Sequence, residues 1–412
     1  MNSADFLSIR NRILLCFCLI NFCTGALYVW SILAGPLAGK LSAASGTVLT
    51  AADLGPVFGL ASGLTPVLML AGGIINDRFG PKWVIGLGGL ALSAGYFIAA
   101  VSASMSMLYV AYGVLVGAGT GLVNGCTIST AVKCFPDRRG FAGGIVTASL
   151  GIGAALLPFV VQALIDTFGI DSTLFALAAF SAVVILPLST FTRAAPSSFE
   201  KEFKAVHDGE AVETTPSKDW RGMIASPTFL PLALLFMTSA TLGLMLLSNA
   251  SGIAQTQIGL TAAGAAAAVS VISIANTAGR FVSGVVSDLI GRIPTLAAAL
   301  VIAFAGLLLL ANASTGDALL FFVGLAAIGT CFGAFIGIYP SLVADEYGPA
   351  HNSVNFSILM LGYSAGGLIG PMLVLAAGAN GSLTRMYLLA AAACVFGLVC
   401  AGIYRLIKRR TR

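Results

Sequence analysis

Charge is what this sequence has least of. Only 9% of its 412 residues are Asp, Glu, Lys or Arg, where soluble domains carry about 25%. Its 21 basic and 16 acidic side chains cannot clothe a globule of that length, and 58% of the residues are hydrophobic. A mean hydropathy of +0.98 makes lipid the solvent, which excludes a soluble enzyme and a secreted disulfide scaffold. A net charge of +5 spread in this way is no nucleic-acid footprint either. Histidine is scarce too: His207 and His351 stand alone in polar segments, so no metal or haem cluster is expected. The eight cysteines form no CxxC pair and read as small apolar residues. Glycine-rich strings around Gly117 and Gly151 lie inside apolar runs, out of context for a nucleotide loop. No apolar run holds paired acids or a Ser/His set, so intramembrane hydrolysis lacks its parts, and neither cofactor nor metal is expected. The first apolar run continues into Pro36 without an A-x-A site, unlike a cleavable signal peptide.

What the sequence does have is long apolar runs. A spanning helix takes about 20 apolar residues, and the charged and Gly/Pro-rich punctuation yields twelve candidates. These are 13–38, 50–75, 82–101, 106–131, 140–166 and 171–192, then 227–254, 261–286, 294–313, 317–342, 352–378 and 383–406. The one long polar stretch, 193–226, divides them into an N-terminal bundle over 1–192 and a C-terminal bundle over 227–412. The expected fold is an all-α membrane protein of two six-helix bundles. Basic residues set the orientation. With both termini inside, 18 Lys and Arg fall on the cytoplasmic side and only Lys40 and Arg385 opposite. Arg280 alone lies within a span.

The two bundles match each other. Gly73-x3-Asp77-x2-Gly80 recurs as Gly284-x3-Asp288-x2-Gly291, shifted by 211 residues. Gly117, Gly121 and Gly125 of span 4 recur as Gly329, Gly333 and Gly337 of span 10, shifted by 212. Glycines four residues apart let helix backbones approach closely, in static packing or in helices that must rock. The shared offset points to a duplication, and parallel six-span repeats are an architecture of alternating-access carriers. A channel would not need a duplicated plan around a single central cation.

Arg280 is that cation. It stands eight residues before Asp288, about 12 Å from the span's end at 1.5 Å per residue. An arginine at this depth is costly unless it faces a polar cavity or a partner. No acid lies elsewhere in its span, and Asp53, Asp166, Asp171 and Asp317 fall near outer ends. Either it bonds backbone carbonyls as a structural residue, or its partner is an anion that comes and goes. Ser273, Asn276 and Thr277 share its face at i−7, i−4 and i−3. Asn21, Thr24, Tyr28 and Ser31 in span 1, and Thr120, Asn124 and Thr127 in span 4, form similar stripes, which serve a cavity or bond across helices. Asp77, at a span end, can meet a helix N-terminus or a basic residue of the other bundle; otherwise it is a solvated loop carboxylate. Arg78, Asp288, Arg292, Arg138 and Arg139 join Gly73, Asp77 and Gly80 as candidate gating residues.

The stretch Gly73-Ile-Ile-Asn-Asp77-Arg78-Phe-Gly80-Pro-Lys82 resembles the loop signature of the major facilitator superfamily, with a degenerate second copy from Gly284 to Arg292. Phe135-Pro-Asp-Arg138-Arg139-Gly140-Phe-Ala-Gly-Gly144 is similar to the corresponding segment of oxalate/formate antiporters and monocarboxylate transporters. Tyr28-Val-Trp30-Ser31, Asn355-Phe356 and Gly370-Pro371 fit the same group. The resemblance implies a secondary transporter in which spans 1, 4, 7 and 10 line a cavity and the span-8 arginine, Arg280, holds substrate. This chain departs from the group at three places. Asn276 stands where proton-coupled animal transporters carry Asp, the span-1 lysine is missing, and Tyr363 aligns with the second, span-11 lysine of the oxalate transporter. One fixed cation matches one carboxylate, and Phe332, Phe335, Met360 and Leu27 either cover the apolar end of a small hydroxy- or keto-acid or pack as ordinary core. The expectation is a monomeric cell-membrane carrier of a lactate- or pyruvate-like anion, moved with a proton; the alternative is an organic anion exchanger.

Overall fold

The computed structural model describes residues 3–51, 53–196, 198–208, 217–378 and 383–410. Residues 209–216 of the expected linker and the basic Arg412 lie outside the described residues. The chain is helical almost throughout. Span 1 is α1 (Ser3–Thr24) and α2 (Trp30–Ser45), joined by a 3₁₀ turn over Gly25–Val29. Span 2 is α3 (Gly55–Phe79) and span 3 is α4 (Pro81–Ala100). Span 4 runs from α5 (Met105–Leu108) through a π-helical stretch, Tyr109–Val116, into α6 (Gly117–Cys134).

Spans 5 and 6 are a single helical element, α7 (Arg139–Phe191), of 53 residues. Straight, it would reach about 80 Å, far more than the roughly 30 Å hydrocarbon core. It breaks at Gly169, whose φ of 78° and ψ of 173° only glycine adopts without strain. Among the described residues eleven helical segments are long and apolar enough to cross a membrane; the break makes two spans of α7, so twelve result. The second half comprises α10 (Phe229–Thr256), α11 (Ala262–Ile290), α12 (Arg292–Asn312), α13 (Ala318–Tyr347), α14 (Asn352–Gly378) and α15 (Leu383–Arg410), spans 7 to 12.

The polar stretch between the halves is partly helical, which its charge count concealed. It contains α8 (Phe199–Asp208) and α9 (Trp220–Ile224). Phe199 packs edge-on against Phe6 of α1 at 4.8 Å, and Arg10 lies over the rings of Phe203 and Phe135 at 5.2 and 4.7 Å. Asp219 caps α9 by accepting from Gly222 N at 2.8 Å.

Two compact units emerge. The first holds Met1–Asp137, Ser149–Pro216 and Gly348–Ser357; the second holds Arg138–Ala148, Ser217–Tyr347 and Ile358–Arg412. The head of span 5 thus clusters with the second unit and the head of span 11 with the first, an exchange that the division at 193–226 did not anticipate.

The matched glycines make matched contacts in each unit. A Cβ on Gly117 would stand 2.6 Å from the carbonyl oxygen of Ala61, and one on Gly329 would stand 2.6 Å from that of Ile272. Gly121 and Gly333 press likewise on the carbonyls of Thr65 and Asn276, and Gly125 and Gly337 on Met69 and Arg280. Every pair keeps the 211-to-212-residue shift. The duplication read from the sequence is therefore repeated in packing, and Met69 is the counterpart of Arg280.

Candidate functional site

In the second unit α11 presents Arg280 from a half-buried position. The glycine contacts of α13 hold the backbone of Asn276 and Arg280 from one side, and Gly144 of α7 closes on the Arg280 carbonyl, 2.6 Å from where its own Cβ would stand. The guanidinium Nε donates to Asn276 Oδ1 at 2.9 Å and one Nη donates to the Thr147 carbonyl at 3.0 Å. The Thr147 bond is the backbone contact of the structural reading, and Asn276 holds the guanidinium on the polar face of α11. Because Oδ1 of Asn276 accepts from Arg280, Nδ2 is the other end of that amide. This Nδ2 is buried without a hydrogen-bond partner among the described residues, on a side chain only 6% exposed. Leaving a buried donor unpaired costs about 1–3 kcal/mol.

The remaining candidates divide between the units. Ser273 and Thr277 are half-buried, and the Thr277 hydroxyl donates to the Ser273 carbonyl at 3.0 Å. Tyr363 and Met360 of α14 are half-buried. The Tyr363 ring stacks on Phe332 at 6.0 Å and lies 6.5 Å from Phe236. Phe332 packs against Gly243 of α10, where no larger residue would leave room for the ring. Phe335 is fully buried and stacks on Tyr339 at 5.7 Å, which makes it part of the packed interior of this unit. In the first unit Leu27 is buried and its carbonyl, at the break in span 1, accepts from Tyr112 of the π-helical stretch at 2.9 Å. Tyr28, one residue on, is 44% exposed. Asn124 is buried and accepts from the Thr24 hydroxyl at 3.1 Å, so this polar pair bonds between spans 4 and 1.

The loop residues form two related clusters. In the first unit Asp77 accepts from Lys133 at 2.6 Å and from the backbone N of Val354, at the start of α14, at 3.3 Å. Gly73 lies so close to Ser353 that a Cβ would stand 2.9 Å from its carbonyl. Asn76 donates to Ser353 at 2.8 Å, and Gly80 turns the chain at φ 85°. In the second unit Asp288 accepts from the backbone N of Gly140 and Phe141 at 2.8 and 2.7 Å, at the start of α7. Arg292 bonds Asp288 and reaches Asp345 at 2.8 Å, where Arg139 also arrives at 2.6 Å. Each acid thus sits on a helix N-terminus, where a negative charge is favoured. Arg139 is buried in this network, whereas Arg138 and Arg78 are exposed, Arg78 lying over the ring of Phe79. The sequence reading missed Lys133 and Asp345 as members. The signal was present: they are 212 residues apart, the same shift as the glycines.

A polytopic helical protein with a duplicated plan and a polar arginine site within its spans has the build of a carrier. The family model of the Major Facilitator Superfamily matches residues 13–267 and 237–412. The chain belongs to that superfamily, and it is a multi-pass membrane transporter, not an enzyme. It is 32% identical to an uncharacterized MFS-type transporter, YhjX, of Escherichia coli strain K12, over 84% of this chain and 83% of the relative. It is 28% identical to the oxalate:formate antiporter of Oxalobacter formigenes, over 92% and 86%. A shorter match, 35% identical over 26% of this chain and 22% of the relative, is to monocarboxylate transporter 12 of Rattus norvegicus. In fold it resembles the fucose transporter FucP in the outward conformation, with a TM-score of 0.71 at 17% identity over 94% and 98% of the two chains.

Proposed function

We propose that this chain carries a small monocarboxylate by alternating access, with Arg280 as the charge that receives it. The observation behind this reading is the pair formed by Arg280 and the unpartnered Nδ2 of Asn276. A guanidinium and an amide N–H on one helix face can donate to the two oxygens of a carboxylate. The similarity to an oxalate:formate antiporter and to monocarboxylate transporters supports an organic anion as cargo. One fixed cation favours one carboxylate, since a second would be desolvated without a counter-charge. Ser273 and Thr277 extend the polar stripe on α11. Tyr363, Phe332 and Met360 supply apolar surface in the second unit, while Phe335 packs on Tyr339 in its interior. Tyr28, Leu27 and Asn124 are proposed to border the path in the first.

Alternation requires the head of span 5 to leave Asp288 and the head of span 11 to leave Asp77, with the sequence halves 1–192 and 227–412 as the moving bodies. Arg139, Arg292, Gly73, Gly80, Arg78 and Arg138 belong to the regions that rearrange. Charge asymmetry of the loops puts both termini in the cytoplasm of a cell-membrane protein, and the functional unit is a monomer. With no acid deep in a span, a proton would cross on the substrate carboxyl itself, making uptake electroneutral.

Exchange of one anion for another is the second reading, favoured by the antiporter relative. Proteoliposomes decide between them. Proton symport gives substrate-driven internal acidification with no anion inside, whereas exchange gives flux only when an anion is preloaded and leaves pH unchanged.

A further inference from the structure

In the second unit the start of α12 and the ends of α13 and α15 line an open cavity of about 660 Å³, one wall of which is formed by Arg292 and Asp345 of the Asp288 network. Its acids are already answered. Glu346 accepts from Tyr404 and Lys408, both at 2.6 Å, and Asp345 accepts from Arg139 and Arg292. Arg405 and Arg409 also line it, both exposed and without an ion pair among the described residues. The 21-residue α12 begins at Arg292 with no side-chain cap, so its first N–H groups add partial positive charge at the same wall. The cavity therefore has an unanswered positive potential.

Its rim is apolar. Ile290 lines it at 56% exposure, and the adjoining Leu289 and Leu406 are 79% and 61% exposed. A basic recess beside lipid-facing aliphatic side chains fits a ligand with an anionic head and a hydrocarbon tail. We propose that this cavity binds the phosphate headgroup of an anionic phospholipid, with Arg405 and Arg409 on the phosphate and an acyl chain along Ile290 and Leu406. On the proposed orientation the lipid belongs to the cytoplasmic leaflet. A free phosphate shares the head chemistry but leaves the apolar rim without a role.

The test uses the purified full-length protein in a neutral detergent. Phosphatidylglycerol, phosphatidylcholine and inorganic phosphate are titrated separately, with thermal unfolding and native mass spectrometry as readouts. A ligand that binds the folded state raises the apparent Tm. Phosphatidylglycerol is expected to raise the Tm and remain bound, phosphatidylcholine and phosphate to do neither. The double variant Arg405→Gln/Arg409→Gln, altered only at exposed side chains, should unfold at the wild-type temperature without lipid. Its phosphatidylglycerol binding should be roughly 30-fold weaker, about fivefold per arginine. The single variant Arg409→Gln, and lipid competition on the wild type, keep the test decisive if the double variant folds poorly. Equal binding of both lipids, or unchanged phosphatidylglycerol binding in a folded variant, would overturn the site. A Tm shift from phosphate alone at the same concentration would overturn the lipid assignment in favour of a soluble anion.

Discussion

Replacing Asp288 by Asn loosens a contact whose strength follows from its geometry. The carboxylate accepts two backbone N–H groups, at 2.8 and 2.7 Å, from the head of span 5. Asn keeps one acceptor oxygen and turns a donor toward the second N–H and toward Arg292. One charge-assisted hydrogen bond is worth about 1.5–3 kcal/mol, and a negative charge at a helix N-terminus adds about 0.3–1 kcal/mol. The head of span 5 is therefore held about 2–4 kcal/mol less firmly. At 1.36 kcal/mol per tenfold, that is a shift of roughly 30- to 900-fold in the conformational balance. Asp77→Asn should do much less. Its contact with the head of span 11 is a single bond at 3.3 Å, and its shorter bond, to Lys133, joins spans 2 and 4 of the same bundle. About 1 kcal/mol, or fivefold, is expected there. Exchange turnover at saturating substrate and equilibrium substrate affinity, measured on both variants, check this ordering. Turnover should change far more than affinity, and more in Asp288→Asn than in Asp77→Asn. A change in affinity alone, or an equal effect of the two, would refute the gating role.

Three further substitutions probe the site. Arg280→Lys keeps the charge but not the planar fork that reaches Asn276 and Thr147, so monocarboxylate affinity should fall roughly 10- to 150-fold with insertion and folding intact; calorimetric titration of lactate reads this. Tyr363→Lys adds a second cation beside Phe332, and in competition assays it should gain oxalate binding and lose affinity for lactate or pyruvate. An unchanged preference in the folded variant would show that this position turns away from the substrate. Gly333→Ala would drive a methyl group into the Asn276 carbonyl and to 2.9 Å from Arg280 N. It should destabilise by about 1–3 kcal/mol, with a lower Tm and weaker binding, whereas Gly35→Ala, with nothing within 4 Å of its added carbon, should leave both unchanged.

The parts of this molecule legible in its sequence are those that repeat. Twelve apolar runs, paired glycine ladders and paired Asp loops carry their own period, and the lone membrane arginine stands out by its cost. What escaped were partners distant in sequence. Nothing near Arg280 announces that Thr147, 133 residues earlier, gives it a carbonyl. Nor does composition show that a polar linker holds a helix docked on Phe6 through Phe199. Phe335 read equally well as cavity lining or as core, because an aromatic residue in an apolar helix carries no mark of which way it faces. That Asp77 can meet a helix N-terminus was legible from its place at a span end, but which helix supplies the N–H was not, because every residue but proline has one.

Arg280 and Asn276 are proposed to receive a single carboxylate for transport. Counterflow of labelled lactate into lactate-loaded proteoliposomes, competed by formate, pyruvate and oxalate at one pH, tests this most directly, with Arg280→Lys run in parallel. Saturable counterflow, stronger competition by the monocarboxylates than by oxalate, and loss of flux in the variant are expected. Oxalate outcompeting every monocarboxylate, or wild-type counterflow in folded Arg280→Lys, would contradict the proposal.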